Sequence, residues 1–297
     1  MSDSACISAA TDRPGLELCV LGSGSSGNTS IVRVPGVGAL MIDAGLGPRV
    51  VAKRMAAFPG DRRVGLADLR AVCLTHLDSD HFNLNWLATL ARLELAVYCH
   101  ASRLDELEER AGRNGLLLDT RAFDAETFEP LPGVSVQPIE FAHDETGSHG
   151  FVVESGSCRI GYATDLGHVP EILLERFCDL DILAIESNYD PDLQRNSGRP
   201  WFLQKRITGG SGHLSNQQAL AAVKSIFDRH DKRRLPRHVV LLHRSRDCNC
   251  PDLLRTLFTR DKRIASRLVL AEPYSRTEWL CASTADSGVG RQMTLAF

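Results

Sequence analysis

The segment Thr75-His-Leu-Asp-Ser-Asp-His81 packs four potential metal ligands, His76, Asp78, Asp80 and His81, into six positions directly after the apolar run Ala71-Val-Cys-Leu74. Ionised carboxylates resist burial unless they are paired or coordinated, so a His/Asp cluster at the end of a buried strand needs a partner that a cation supplies. Imidazole suits zinc, manganese and iron, and carboxylate moves a site toward harder ions, so the mixed set has the composition of a hydrolytic metal centre. Loop histidines and aspartates also serve as plain hydrogen-bonding groups. Coordination is favoured here because further candidate ligands recur downstream in equally suggestive places. His213, in Gly212-His-Leu-Ser-Asn216, precedes an amphipathic stretch. An imidazole there is available near neutrality to give a hydrogen bond or proton to a substrate.

The ligand segment resembles the His-x-His-x-Asp-His motif of the metallo-β-lactamase fold, with Asp78 standing where that family has its second histidine. The opening Leu18-Cys-Val-Leu-Gly-Ser-Gly-Ser-Ser-Gly-Asn28, followed by Met41-Ile-Asp-Ala-Gly45, is similar to the WalJ (YycJ)-like branch, bacterial proteins associated with exonuclease activity on DNA. Phe141-Ala-His-Asp144 resembles the family's third-motif histidine and Tyr162-Ala-Thr-Asp-Leu-Gly167 its fourth-motif aspartate, while Gly212-His-Leu-Ser-Asn216 and Leu241-Leu-His-Arg-Ser-Arg-Asp-Cys-Asn249 have counterparts in the same branch. The resemblance implies an αββα sandwich and two divalent ions, zinc or manganese, with magnesium or iron possible. It assigns His76, Asp78 and His143 to one ion and Asp80, His81 and His243 to the other, with Asp165 bridging. It further implies a phosphodiesterase, most directly a DNA exonuclease, in which a water bridging the ions is the nucleophile and Asp80, Asp165 and His213 form the catalytic group. Two ions so placed stabilise both the attacking and the leaving oxygen of a phosphoryl displacement. Asp78 either ligates through oxygen, favouring harder ions, or fails to reach and weakens one site. Asp43 resembles a carboxylate that orients a ligand histidine through its distal N–H.

Alternatives from other classes remain on the sequence alone. The fold hosts hydrolases of cyclic nucleotides, lactones and thioesters, and fold does not fix function. A binding protein with an impaired metal site has Asp78 as its support. The chain has 297 residues, 43% of them hydrophobic, and a formal charge of −3, so nucleic-acid binding would depend on a local patch. One such patch is the Asp190–Gly212 stretch, read as an irregular loop, where Arg195, Arg199, Lys205 and Arg206 interleave with Trp201 and Phe202. That composition can track phosphates and stack bases. Ser23, Ser25 and Asn28 sit in a glycine-rich loop whose N–H groups suit a phosphate. Nine scattered cysteines form no framework and read as reduced thiols. With neither a signal-peptide pattern nor a membrane-length apolar run, the expectation is a cytoplasmic protein with no membrane partner and with DNA as its substrate.

These residues need elements to hold them. Strands are expected at 16–21, 29–34, 39–42, 71–74, 95–99, 134–139, 150–154, 158–163, 182–185 and 238–242, where apolar residues lie between Gly and Pro turns. Helices are expected from Pro48 to Phe58 and over 82–93, 104–111, 169–177, 216–229 and 252–259. Strands alternating with helices predict layered α/β architecture in one domain over residues 16–275, preceded by a flexible segment 1–15 and followed by an extension 276–297.

Overall fold

A computed structural model describes residues 15–229 and 235–283. The predicted flexible start lies almost wholly outside these residues, as does most of the extension. The chain forms two seven-stranded sheets. In the first, β1 (Glu17–Gly22), β2 (Thr29–Val34) and β3 (Gly38–Ile42) run antiparallel, while β4 (Leu69–Cys73), β5 (Ala96–His100) and β6 (Asp119–Phe123) continue parallel to β3. In the second, β7 (Phe128–Leu131), β8 (Val134–Phe141), β9 (Ser148–Ser155) and β10 (Cys158–Ala163) are antiparallel, and β11 (Ile182–Glu186), β12 (His238–Leu242) and β13 (Leu268–Leu270) extend β10 in parallel. The last strand, β14 (Leu280–Cys281), pairs with β1 and closes the edge of the first sheet.

The two-residue period of the strands sorts their side chains between two faces, and both faces are apolar because both are covered. On β1, Leu18 and Val20 enter the core between the sheets, packing with Phe151, Ile160 and Tyr162. The alternate Cys19 and Leu21 join the layer of α1 (Pro48–Ala56), α2 (Leu87–Leu93) and α3 (Leu104–Gly112) through Val51, Met55, Leu90 and Leu107. On β12, Val240 and Leu242 face the other sheet. Val239 and Leu241 meet a second helical layer, in which Leu173 of α4 (Glu171–Arg176), Ile226 and Phe227 of α7 (Asn216–Arg229) and Phe258 of α8 (Pro251–Phe258) are buried. The result is the αββα sandwich.

Three local departures from the sequence reading have simple causes. Residues 190–212 are largely ordered as α5 (Pro191–Arg195) and α6 (Trp201–Thr208). Short amphipathic helices of this length leave too few turns for a periodic pattern. Strands β6, β7, β13 and β14 escape notice because they are edge or near-edge strands of two to five residues whose pairing is backbone-driven. Phe82 and Asn83 precede their helix: Ala44 and Phe82 form a parallel bridge, and the Asn83 side chain caps the 3₁₀ turn that leads into α2. A further short helix, α9 (Lys262–Ala265), packs Ile264 into the second helical layer.

Candidate metal centre

All eight residues singled out for chemistry converge on one rim of the sandwich, at the carboxyl ends of β4, β8, β10 and β12 and the loop before α7. The ends of parallel strands are where an open α/β sheet gathers its functional groups. Three of the strand exits are left-handed: Asp43 after β3 has φ +59°, Asp165 after β10 +53°, and His243 after β12 +50°. Non-glycine residues adopt this region at a cost of about 1–3 kcal/mol, which the surrounding structure must offset. Here the sharp exit turns each side chain across its strand end toward the neighbouring ligands.

The ligand loop itself is clamped by backbone. Asn28 N–H donates to the Asp80 carbonyl at 2.7 Å, and Ala44 N–H donates to the His81 carbonyl at 2.7 Å. Gly45 passes so close that a Cβ on it would stand 1.8 Å from the Asp80 carbonyl oxygen. Only glycine permits that approach.

Two groups of donors form around Asp165. His76, Asp78 and His143 bring ligand atoms within 4.8 Å of one another, and Asp80, His81 and His243 do the same. Asp165 reaches both His81, with Oδ2 2.7 Å from Nε2, and His243, with Oδ1 3.0 Å from Nδ1. Asp78 sits at the mouth, its side chain 45% exposed and 3.8 Å from His76 Nε2. The imidazoles are oriented from behind. His81 Nδ1 donates to Asp43 Oδ2 at 2.8 Å, and Thr75 donates to the same carboxylate from both its N–H and its hydroxyl. His143 Nδ1 donates to the Gly212 carbonyl at 3.0 Å. Both contacts free Nε2 to coordinate, as partners of ligand histidines commonly do. Asp43 thus has the orienting position expected of it.

Charge in the cluster is one-sided. Burial opposes ionisation of Asp165, but His243 and His81 outweigh it and hold the carboxyl well below the ordinary value. Burial likewise opposes charge on His81, yet Asp165 and Asp43 raise its pKa well above the usual imidazole range. His243 is pushed up to about 9 despite burial, chiefly by Asp165. His76 goes the other way, lowered by burial and by His81, and is neutral. Buried carboxylates that recruit protons onto neighbouring imidazoles are the same field that recruits cations, with metal displacing the protons. Four imidazoles and three carboxylates with convergent free atoms therefore fit divalent metal.

His213 is placed by Glu186, which is fully buried at the end of β11. Glu186 Oε1 accepts from His213 Nδ1 at 2.7 Å and from His243 Nδ1 at 3.1 Å, while its Oε2 accepts the N–H groups of Leu166 and Leu214. Asp165, Glu186, His213 and His243 are also mutually within ligand range. Their contacts run through Nδ1 and read as hydrogen bonds that aim the rings. The double role of Glu186 was not visible in sequence; its signal was an acid immediately following the apolar run Ile182-Leu-Ala-Ile185. Asn188 donates to the His243 carbonyl at 2.8 Å; the Glu186–Asn188 segment resembles branch residues near the site, but the sequence gives neither residue a role.

Ser23 and Asn28 are not free for phosphate. Ser23 Oγ accepts from His243 N–H at 2.7 Å and donates to Asn28 Oδ1 at 3.0 Å, while Asn28 Nδ2 lies 2.9 Å from His81 Nε2. They position ligands, and of the three only Ser25 faces solvent. The cleft above the cluster has a volume of about 220 Å³ and is lined by Ser25, His76, Asp78, Asp80, His143, Asp165, His213 and His243, with Leu203, Arg206 and Ile207 from α6 as one wall. Arg206 is bound to Asp144, with Nε donating to Oδ1 at 2.9 Å.

Comparison with known proteins agrees with this architecture. A sequence model of the beta-lactamase superfamily domain matches residues 39–243. The chain is 26% identical over 243 residues to Exodeoxyribonuclease YycJ of Bacillus anthracis, covering 81% of this chain and 87% of that protein. It is 24% identical over 242 residues to Exodeoxyribonuclease WalJ of Streptococcus pneumoniae, covering 80% and 85% respectively. Among solved structures, the metallo-beta-lactamase fold protein YhfI from Bacillus subtilis superposes with a TM-score of 0.63 at 16% identity, over 89% of this chain and 99% of that one.

Proposed function

We propose that this chain, which belongs to the beta-lactamase superfamily, is a metal-dependent hydrolase of phosphodiester bonds that acts on DNA as an exonuclease with two divalent ions. The observation carrying this reading is the pair of donor triads, His76/Asp78/His143 and Asp80/His81/His243, with buried Asp165 in ligand range of His76 and His81, lining an open cleft. Its likeness to two proteins named exodeoxyribonucleases supports the substrate class. So does the outer surface of α6, where Trp201 is 74% and Phe202 70% exposed beside the cleft, enough free ring face to stack unpaired bases. Lys205 Nζ lies 5.1 Å from the Trp201 ring centroid, adding positive charge to that face. Eight unpaired cysteines among the described residues accord with a reducing compartment, hence the cytoplasm. Among the described residues no helix is long and apolar enough to cross a membrane.

Ions held by the two triads would supply Lewis-acid stabilisation of the phosphate and activation of water. The chain's own groups do the rest. Asp165 and Asp80 keep negative charge at the base of the cleft, the field in which the two triads would hold divalent cations. Glu186 engages Nδ1 of His213 and so fixes the ring with Nε2 toward the cleft, where it donates a hydrogen bond or proton to a phosphate or leaving-group oxygen. Asp43 and the Gly212 carbonyl lock His81 and His143 against rotation.

The test is metal-loaded protein on end-labelled DNA with manganese. Expected are nucleotides released from an end, complete loss of activity in chelator, and an Asp165→Ala variant that binds at least one ion fewer and is slowed at least roughly 100-fold, the order expected when a charge-stabilising group is removed. Hydrolysis of bis-p-nitrophenyl phosphate with intact DNA would replace this reading with a small-molecule phosphodiesterase. Protein that neither holds nor binds metal would replace it with a binding protein.

A further inference from the structure

Beside the metal cleft lies a second hollow of about 150 Å³, formed by the exposed turn between β1 and β2, the segment following His243 and the chain before α6. Three arginines line it, Arg199, Arg244 and Arg246, together with Ser25, Ser26 and Tyr274. Ser25 also lines the metal cleft, so the two spaces share a wall. Arg244 directly follows His243, and Arg246 is three residues on, no more than about 11 Å of extended chain. An occupant of this hollow therefore sits next to whatever occupies the cleft.

Its chemistry is that of an anion site. Asp247 is the one acid among the described lining residues, and its contacts are loose: Arg199 Nη2 is 3.3 Å and Arg246 Nε 3.5 Å from its carboxylate. Arg199 otherwise reaches Gln194 at 3.4 Å, and Arg246 reaches the Tyr274 hydroxyl at 3.3 Å. Arg244 is more telling. Its side chain is nine-tenths buried, with Nη2 on Glu272 at 2.5 Å, yet Nε is buried with no hydrogen-bond partner among the described residues. An unsatisfied buried guanidinium nitrogen is costly, and Arg244 keeps this one donor unused in the wall of the hollow. Tyr274, 63% exposed, stands at the edge with its ring available for stacking.

We propose that this hollow is a phosphate subsite for the DNA strand bound in the cleft, taking the backbone phosphate next to the scissile one on Arg199, Arg244 and Arg246, with Tyr274 stacking the attached base. Guanidinium groups suit this role because their planar donor sets match phosphate oxygens. The proposal rests on the phosphodiesterase reading above, and direct binding without turnover separates the two. The probe is a fluorescent single-stranded oligonucleotide, its anisotropy followed in chelator across a range of salt concentrations.

Arg199→Ala/Arg246→Ala should weaken binding at least tenfold and flatten the log–log salt slope by roughly 0.7, the value for one single-strand phosphate that is no longer neutralised. Arg199→Lys/Arg246→Lys should restore most of the slope, and Tyr274→Phe should bind like the parent while Tyr274→Ala weakens binding without altering the slope. In manganese, the ratio of kcat/KM on DNA to that on bis-p-nitrophenyl phosphate should fall by a similar factor in the alanine pair. An unchanged slope, or equal losses on both substrates, overturns the subsite, even if the parent protein degrades DNA. A parent protein that binds the oligonucleotide through these arginines but hydrolyses neither substrate overturns the hydrolase reading and leaves the subsite standing.

Discussion

At the scale of single residues, Asp78 carries the sharpest chemical question. It replaces an imidazole with a carboxylate at the mouth of the site, and its 45% side-chain exposure leaves it free to turn toward an ion beside His76. An added oxygen ligand favours harder ions. Turnover supported by manganese should therefore exceed that supported by zinc, and Asp78→His should move the zinc-to-manganese activity ratio upward by roughly tenfold while preserving hydrolysis. Metal titrations of the two proteins check this. An Asp78→Ala protein with the parent's metal content and rate would show that Asp78 is no ligand. Glu186 contrasts with it: the carboxylate touches no cleft space of its own, yet it sets the rings of both His213 and His243.

At the scale of elements, the centre depends on loops pressed together at strand ends. The Gly45 segment, the β1–β2 turn and the ligand loop interlock through Asn28 N–H on Asp80 O and Ala44 N–H on His81 O. A methyl at Gly45 would stand 1.8 Å from the Asp80 carbonyl oxygen and 2.6 Å from Asn28 N, and neither backbone atom can yield cheaply. Gly45→Ala should displace Asp80 and His81 together, lowering activity at least roughly tenfold, in line with the effect of an ångström-scale misplacement of a catalytic group. It should also reduce bound metal. Gly47→Ala is the control, since a Cβ there meets nothing within 4 Å and the backbone is not left-handed. Equal activity in the two variants would show that the ligand loop tolerates the shift. Most of this interlocking was illegible in the sequence, because it arises between segments that lie roughly 35–50 residues apart and involves backbone atoms.

For the whole molecule, stability should depend on pH through a histidine outside the metal centre. His149 on β9 is 7% exposed, stacks on His100 at 4.4 Å between ring centroids and meets Phe123 edge-on. Burial, and then the His100 charge, depress it from the ordinary 6.5 to about 4, against a hydrogen bond to the Thr75 backbone and a weaker pull from Asp124, with Glu140 as its cross-strand neighbour. The unfolded chain protonates near 6.5 and the folded one only near 4. Stability from the neutral ring is therefore complete above 6.5 and is lost as pH falls toward 4. At pH 5 the loss should be about 2 kcal/mol. Urea unfolding in chelator at pH 7 and pH 5 measures it, and His149→Gln should flatten the difference between the two. A variant as pH-sensitive as the parent would assign the effect elsewhere.

Linear pattern was enough to specify layered α/β architecture, and the resemblance of its motifs to a known family supplied the αββα sandwich and the candidate ligand set. Strand periods mark which residues are buried on both faces, and buried runs ending in His or Asp mark where charge must be neutralised. Both signals are local, readable within a few residues of Leu74, Ala163 or Leu242. What remained was settled in three dimensions, because only folding brings distant strand ends to one rim. It engaged the Ser23 and Asn28 N–H groups of the glycine-rich loop with the Glu272 and Asp80 carbonyls and set their side chains against His243 and His81. It set Glu186 behind His213, tied Arg206 to Asp144, and gathered Arg199, Arg244, Arg246 and Tyr274 around one hollow. Partnerships of that kind depend on distances in space between side chains separated along the chain, and no periodicity or spacing in the sequence encodes them.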